Sequence, residues 1–110
     1  MFDNLHPDDV LFFNEVRNAM FKVARDYALP LKSVSPTSMP AKGMNDFLGR
    51  CFHSGEIEIV MRATVDGEWC EAPRTPDLVW KTAAHELSHL RHMNHGHAFQ
   101  EFQLELEEAL

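Results

Sequence analysis

The sequence predicts an α+β domain with three helices and a small sheet that contains an antiparallel pair of strands. Three observations predict it: a long amphipathic stretch that starts at a proline, two strand-like runs on either side of a tight turn, and two further helical stretches separated by a short break. The chain has 110 residues and no linker rich in proline, glycine and serine. We therefore expect a single domain over residues 1–110.

The first helix is predicted over residues 8–28. Pro7 and the acidic pair Asp8 and Asp9 are typical of a helix start, and Pro30 marks the end of the pattern. Between these points apolar side chains recur at intervals of three and four residues, as expected for one buried helix face. These side chains belong to Val10, Phe13, Val16, Met20, Val23 and Tyr27.

A loop and a hairpin are predicted next. The connection after the first helix holds prolines among serine and threonine, which favours a loop with a short strand at residues 31–34. Residues 47–52 and 57–64 are strand-like and flank a tight-turn sequence, so we expect them to pair as an antiparallel hairpin. A second turn signal follows, and a short return segment is expected to begin near Trp69.

The second helix is predicted over residues 76–93, because Thr75 can cap it and proline occupies its first position. Asn94 and Gly96 tolerate left-handed backbone geometry, so the chain can turn sharply before a last helix over residues 98–109. The flank of the second helix that faces the core is expected to consist of Val79, Ala83, Leu87 and Leu90.

Composition limits the classes of function. Ten Lys and Arg residues stand against 17 Asp and Glu residues, and the formal net charge of −7 disfavours a broad surface for phosphates. No apolar run approaches the roughly 20 residues that span a bilayer, and the N-terminus lacks the basic start of a signal peptide. We therefore expect a cytoplasmic protein whose domain binds neither nucleic acid nor membrane directly, with Cys51 and Cys70 as separate reduced thiols.

Five of the seven histidines lie between positions 85 and 97. His85 and His89 are four residues apart, so on a helix they lie about 40° apart, one turn above the other, and both rings can bind one zinc ion. Glu86 follows His85 directly, which places its carboxylate beside the metal, where it can take a proton from a zinc-activated water. This His-Glu-x-x-His arrangement is typical of metallopeptidases.

A catalytic zinc ion needs a third protein ligand, and we expect His95 to supply it. His95 follows the predicted helix end, where Asn94 and Gly96 allow the backbone to reverse and the ring to return to the metal. His92 shares the helical face but lies roughly 10 Å along the axis from His85, too far for a tetrahedral site.

Two other third ligands remain open. His97 lies in the same turn as His95, and Glu105 lies at the border of the polar face of the last helix. The apolar stripe of that helix consists of Phe99, Phe102, Leu106 and Leu110. The other acids of the helix are expected to face solvent. Outside this region, His6 and His53 are expected to have no role in metal binding.

The zinc motif and the sequence before it resemble the SprT-like and YgjP-like zincin metallopeptidases. The resemblance rests on the spacing of the three histidines and the glutamate, with Met-Asn-His-Gly around the third histidine, and on Leu-Gly-Arg-Cys followed by a turn and Gly-Glu-Ile-Glu-Ile. It covers roughly residues 45–102. His97 stands where the YgjP-like pattern often has proline, and the separate zinc ribbon or basic segment common in SprT-like proteases that act on DNA-bound proteins has no counterpart here.

The resemblance implies a minimal zincin-like domain, with an N-terminal helix, a small sheet, an active-site helix and a C-terminal helix. It implies that residues 57–64 form an edge strand that lines the cleft and pairs with an extended substrate. By position, His85, His89 and His95 would bind Zn2+. Glu86 would be the general base in the hydrolysis of peptide bonds in a protein or peptide substrate. The alternative function is that of a catalytically silent or latent zincin-fold protein with a binding or regulatory role.

Overall fold

The structure is a computed structural model that describes residues 5–38 and 49–110. Its elements follow the predicted order of helix, hairpin, helix, turn and helix, and the prediction of an α+β domain is confirmed. In chain order they are a 3-10 turn (Pro7–Asp9), α1 (Val10–Asp26), β1 (Ser33–Thr37), β2 (Gly49–Cys51), β3 (Glu56–Val60), β4 (Thr64–Val65), β5 (Glu68–Trp69), α2 (Pro76–His89) and α3 (His97–Ala109).

The first helix begins as predicted at the acidic pair, but its first turn is a 3-10 turn. The His6 ring caps this turn, because its Nδ1 accepts a hydrogen bond of 3.0 Å from the backbone N–H of Asp8. The helix ends at Asp26, and Ala28 adopts a positive φ of 54° as the chain leaves it. The predicted stripe is buried at four of its six positions, namely Phe13, Val16, Met20 and Val23.

The start of α1 is tied to the β4–β5 hairpin by a buried ion pair. Arg62 donates from Nε and from Nη2 to the two carboxylate oxygens of Asp9, each at 2.9 Å. Its Nη1 donates to the backbone carbonyls of Cys70 and Glu71. Such a bidentate pair fixes geometry as well as adding energy, so the hairpin cannot shift independently of α1.

The three-stranded sheet has the order β1-β3-β2, with β1 parallel and β2 antiparallel to β3. The predicted antiparallel hairpin is confirmed over the described residues, while residues 47–48 of its first strand lie outside them. The expectation that residues 57–64 form the edge strand is wrong. β3 ends at Val60 and has a strand on each side, so among the described strands β2 is the edge that faces the cleft.

The strand and turn boundaries differ from the expected ones in small ways. β1 covers Ser33–Thr37 instead of residues 31–34, because it takes its register from β3, with Ser33 opposite Glu56. The expected return segment is present as β5, which pairs with β4. Cys51 and Cys70 are both free thiols, as predicted. None of the helices in the described part of the chain is long and apolar enough to cross a membrane.

The second helix ends four residues earlier than predicted, at His89. Its last turn tightens, because the N–H groups of Leu90 and Arg91 bond three residues back, to the carbonyls of Leu87 and Ser88. The prediction of a Thr75 side-chain cap is also wrong. Thr75 occupies the cap position, yet its side chain makes no capping hydrogen bond.

The core lies between the sheet and the three helices. The side chains at its centre come from α1, β3, α2 and α3, and each has no exposed surface. They include Phe13, Met20, Ile57, Ile59, Val79, Leu87 and Leu106. Arg74 crosses this junction, since its Nη1 donates to the Val60 carbonyl and its Nη2 donates to Thr82 Oγ1 on α2. The sheet and the histidine-bearing helix are therefore held in a fixed relation.

Candidate metal centre

Three of the predicted site residues, His85, His89 and His95, converge on one point. One ligand atom from each lies within 4.8 Å of the others. The Nε2 atoms of His89 and His95 are 3.0 Å apart, and the rings of His85 and His95 stack with centroids 5.1 Å apart. The first two histidines come from consecutive turns of α2, and the third comes from the connection to α3.

The turn that returns His95 forms without left-handed backbone at either predicted position. Gly96 has φ −79° and ψ −171°, which is extended backbone, and Asn94 is not among the residues with positive φ. The reversal instead follows from the early end of α2, which frees residues 90–96 to cross to α3. The prediction of a reversal is confirmed, while its proposed backbone mechanism is wrong.

The other candidate ligands lie apart from this group. His97 is 87% exposed and pairs with Glu101 at 2.8 Å, and Glu105 is exposed on α3. The ring of His92 packs edge-on against Phe102, with centroids 5.6 Å apart, and its carbonyl oxygen lies 3.3 Å from Nδ1 of His89. The structure therefore gives His92 a supporting backbone contact.

One aromatic ring packs against all three histidines. The Phe99 ring of α3 is 2% exposed, and its centroid lies 4.9, 4.6 and 4.9 Å from the ring centroids of His85, His89 and His95, respectively. One turn further along α3, Gln103 Oε1 lies 3.1 Å from Nδ1 of His85. Sequence reasoning placed Phe99 in the apolar stripe and missed Gln103. The signal that could have found it is the four-residue spacing from Phe99, which puts both on the same side of α3.

The surroundings favour the neutral form of two of the rings. Burial lowers the pKa of His85, partly offset by the hydrogen bond with Gln103, and His95 lowers it further. Burial also lowers the pKa of His89, as do the neighbouring rings of His85 and His95. A histidine must be neutral to bind a metal, so this environment favours the binding form.

Glu86 lies beside the three histidines and is only 6% exposed. Burial raises the pKa of its carboxyl group to about 7. Strand β2 passes close to it: a Cβ at Gly49 would lie 3.1 Å from Glu86 Cγ, 2.8 Å from Thr82 Cγ2 and 2.9 Å from the Glu58 carbonyl oxygen. Glycine at this position therefore permits the close approach of β2 to α2.

The histidines and Glu86 open onto a cavity of about 410 Å³. One wall is α2 with the connection after it, and the opposite wall is β2 with the start of the turn that follows. The remaining lining residues are Pro30, Gly49, Arg50, Cys51, Phe52, His53, Leu90 and Met93. A buried acid and three imidazoles thus face an open space in which a peptide-sized segment could lie.

This chain is similar to a known protein in structure but not detectably in sequence. No protein-family model and no curated protein matches this sequence. A crystal structure of a mutant of Wss1 from S. pombe is similar, with a TM-score of 0.71 and 21% sequence identity, covering 99% of this chain and 91% of that chain. At this identity the likeness shows the fold, which agrees with the minimal zincin-like domain that the sequence resemblance implied.

Proposed function

We propose that this protein is a zinc-dependent metallopeptidase of the SprT-like or YgjP-like kind. His85, His89 and His95 are the proposed zinc ligands, and Glu86 is the proposed general base. One observation carries the proposal. Ligand atoms of three imidazoles lie within 4.8 Å of one another beside a buried carboxylate, and all four side chains line an open cavity. Three protein ligands with an open position are typical of catalytic rather than structural zinc.

The three histidines fit a zinc ion in spacing and chemistry. Ligand atoms around tetrahedral zinc are about 3.4 Å apart, and the observed separations bracket this value, from 3.0 Å to within 4.8 Å. Nδ1 of His85 and Nδ1 of His89 each face an oxygen atom that can only accept a hydrogen bond. Both rings then carry their proton on Nδ1, which leaves Nε2 to bind the metal.

The proposed reaction is the hydrolysis of a peptide bond. Zinc, when bound, supplies a Lewis acid that polarises the scissile carbonyl group and acidifies the attacking water. Glu86 takes a proton from that water and then delivers it to the leaving amine nitrogen. Among the described strands, β2 is an edge of the sheet and lines the cavity, so its backbone can pair with an extended peptide and hold the scissile bond near Glu86.

The metal content of the purified protein and the Glu86→Gln variant test this proposal. We expect one zinc ion per chain in both proteins, and a loss of peptide or casein hydrolysis of about 10²- to 10⁴-fold in the variant. Absence of stoichiometric zinc from the wild-type protein would contradict the proposal. Equal hydrolysis by the two proteins would contradict the role of Glu86.

The alternative is a catalytically silent or latent zincin-fold protein that binds a partner. It is favoured by the small extent of the cleft wall opposite α2, which within the described residues consists of β2 and the start of the turn after it. This alternative predicts bound zinc without hydrolysis of any peptide that the Glu86→Gln variant leaves intact. The carboxylate of Glu86 favours the enzymatic proposal, since a structural zinc site needs no acid at that position.

A further inference from the structure

Gln103 contacts the proposed metal site from outside the histidine motif. Its Oε1 atom lies 3.1 Å from Nδ1 of His85, and the contact joins two helices across 18 residues of chain. The Gln103 side chain is half-buried, while its neighbour Phe99 is almost fully buried under all three imidazoles. The side of α3 that faces the site therefore presents one apolar ring and one amide.

We propose that Gln103 is a positioning residue that fixes the tautomer and the ring orientation of His85. The inference rests on the proposed zinc site. A neutral imidazole carries its proton on one nitrogen and a lone pair on the other. Because the amide oxygen only accepts, Nδ1 of His85 must donate to it, and Nε2 keeps the lone pair that a metal requires.

The Nδ1 atoms of the two α2 histidines face different hydrogen-bond acceptors. Nδ1 of His89 faces the backbone carbonyl of His92 at 3.3 Å, which no side-chain replacement removes. Nδ1 of His85 faces a side chain, so a single substitution can remove its acceptor. His85 is thus the ligand whose orientation can be tested selectively.

The orientation of the Gln103 amide is linked to metal binding. If the amide were reversed, its NH2 group would donate to Nδ1, and the proton of His85 would move to Nε2. In that tautomer Nε2 has no lone pair for the metal, and the lone pair on Nδ1 accepts from the amide. Gln103→Met keeps the length of the side chain but removes the acceptor, whereas Gln103→Glu keeps an acceptor that cannot donate when ionised.

Zinc affinity, measured by competition with a chelator of known affinity, is the first readout. We expect Gln103→Met to weaken zinc binding by about 10- to 100-fold, and Gln103→Glu to bind at least as tightly as wild type. Glu105→Met is the control, because it introduces the same methionine at an exposed position of α3, and its affinity should be unchanged. Wild-type affinity in Gln103→Met would overturn the inference.

The tautomer of His85 in the metal-free protein is a second readout that needs neither zinc nor activity. Nitrogen NMR of the imidazoles at about pH 8, where His85 is neutral, should show the proton on Nδ1 in wild type and a shift toward Nε2 in Gln103→Met. A proton on Nε2 in the wild-type protein would overturn the inference even if Gln103→Met did not fold. If wild type binds zinc and Gln103→Met binds it equally, the inference alone fails; if wild type binds no zinc, the proposed function fails first.

Discussion

The two walls of the cleft are built in different ways. The α2 wall carries the proposed chemistry on the helix and on the connection after it, and its histidines are supported from α3 by Phe99 and Gln103. The β2 wall differs, because the close approach of this strand to α2 depends on the absence of a side chain at Gly49. Residues that act chemically therefore lie close together in sequence, whereas the wall that would hold a substrate depends on tertiary packing.

The largest expected effect lies on the α2 side, at the connection that follows the helix. Replacing His95 by alanine should remove stoichiometric zinc after dialysis, because a site with two imidazoles lacks one of the three protein ligands that hold a catalytic zinc ion. The control variants His97→Ala and Glu105→Ala should retain zinc, since neither side chain joins the group. Zinc loss in a control variant but not in His95→Ala would reverse the ligand assignment.

The buried acid should make the stability of the metal-free protein depend on pH. Burial raises the pKa of Glu86 from 4.5 to about 7. Folding therefore favours the protonated form of Glu86. Its contribution to the free energy of unfolding is complete below pH 4.5 and is lost as pH rises through about 7. The full loss is on the order of 3 kcal/mol in the free energy of unfolding.

Urea unfolding of the metal-free protein across this pH range would measure the effect. His85 and His89 have lowered pKa values, and they oppose it by stabilising the fold as pH rises. The difference between wild type and Glu86→Gln isolates the acid, because the histidines are common to both proteins. Parallel stability curves for the two proteins would show that Glu86 does not titrate as described.

A smaller effect is expected on the β2 side. Gly49→Ala places a Cβ within 2.8 to 3.1 Å of Thr82, Glu58 and Glu86, so β2 or α2 must shift. Overpacking of this kind costs about 1 to 3 kcal/mol in the free energy of unfolding. Gly96→Ala is the matched control, because a Cβ there meets nothing within 4 Å. Equal stability of the two variants would mean that β2 moves away from α2 without cost.

The same contrast explains which features could be predicted from the sequence. His85, His89 and Glu86 lie within one helical turn or so, and helix geometry alone brings them together. The reversal that returns His95 was also predicted, but its cause was not, because the early end of α2 at His89 makes the turn without left-handed backbone at Asn94 or Gly96.

Features that depend on contacts between distant segments were not predictable in this way. The pattern of β3 shows alternation, but it does not reveal that β1 pairs with it in parallel and removes its free edge. Gln103 is an ordinary polar residue on a helix until α3 packs against α2 and brings its amide to His85. The close approach at Gly49 likewise arises only when β2 meets α2.

The smallest expected effect is on the reactivity of the Cys51 thiol on β2, which is influenced by Glu86 on α2. Burial, with a further contribution from the charge of Glu86, raises the pKa of this thiol to about 11. The thiolate is the reactive form, so alkylation of Cys51 at about pH 8 should be much slower than that of free cysteine, whose pKa is about 8.5.

The contribution of Glu86 to the raised pKa of Cys51 can be measured in a Cys70→Ser background, where Cys51 is the remaining thiol. Glu86→Gln removes the charge but not the burial, so it should speed alkylation modestly and leave it slower than that of free cysteine. Glu105→Gln removes an exposed charge on α3 and should have no effect. If Glu86→Gln leaves the rate unchanged, then Glu86 and Cys51 do not interact across the cleft, and the two walls are further apart than the packing at Gly49 requires.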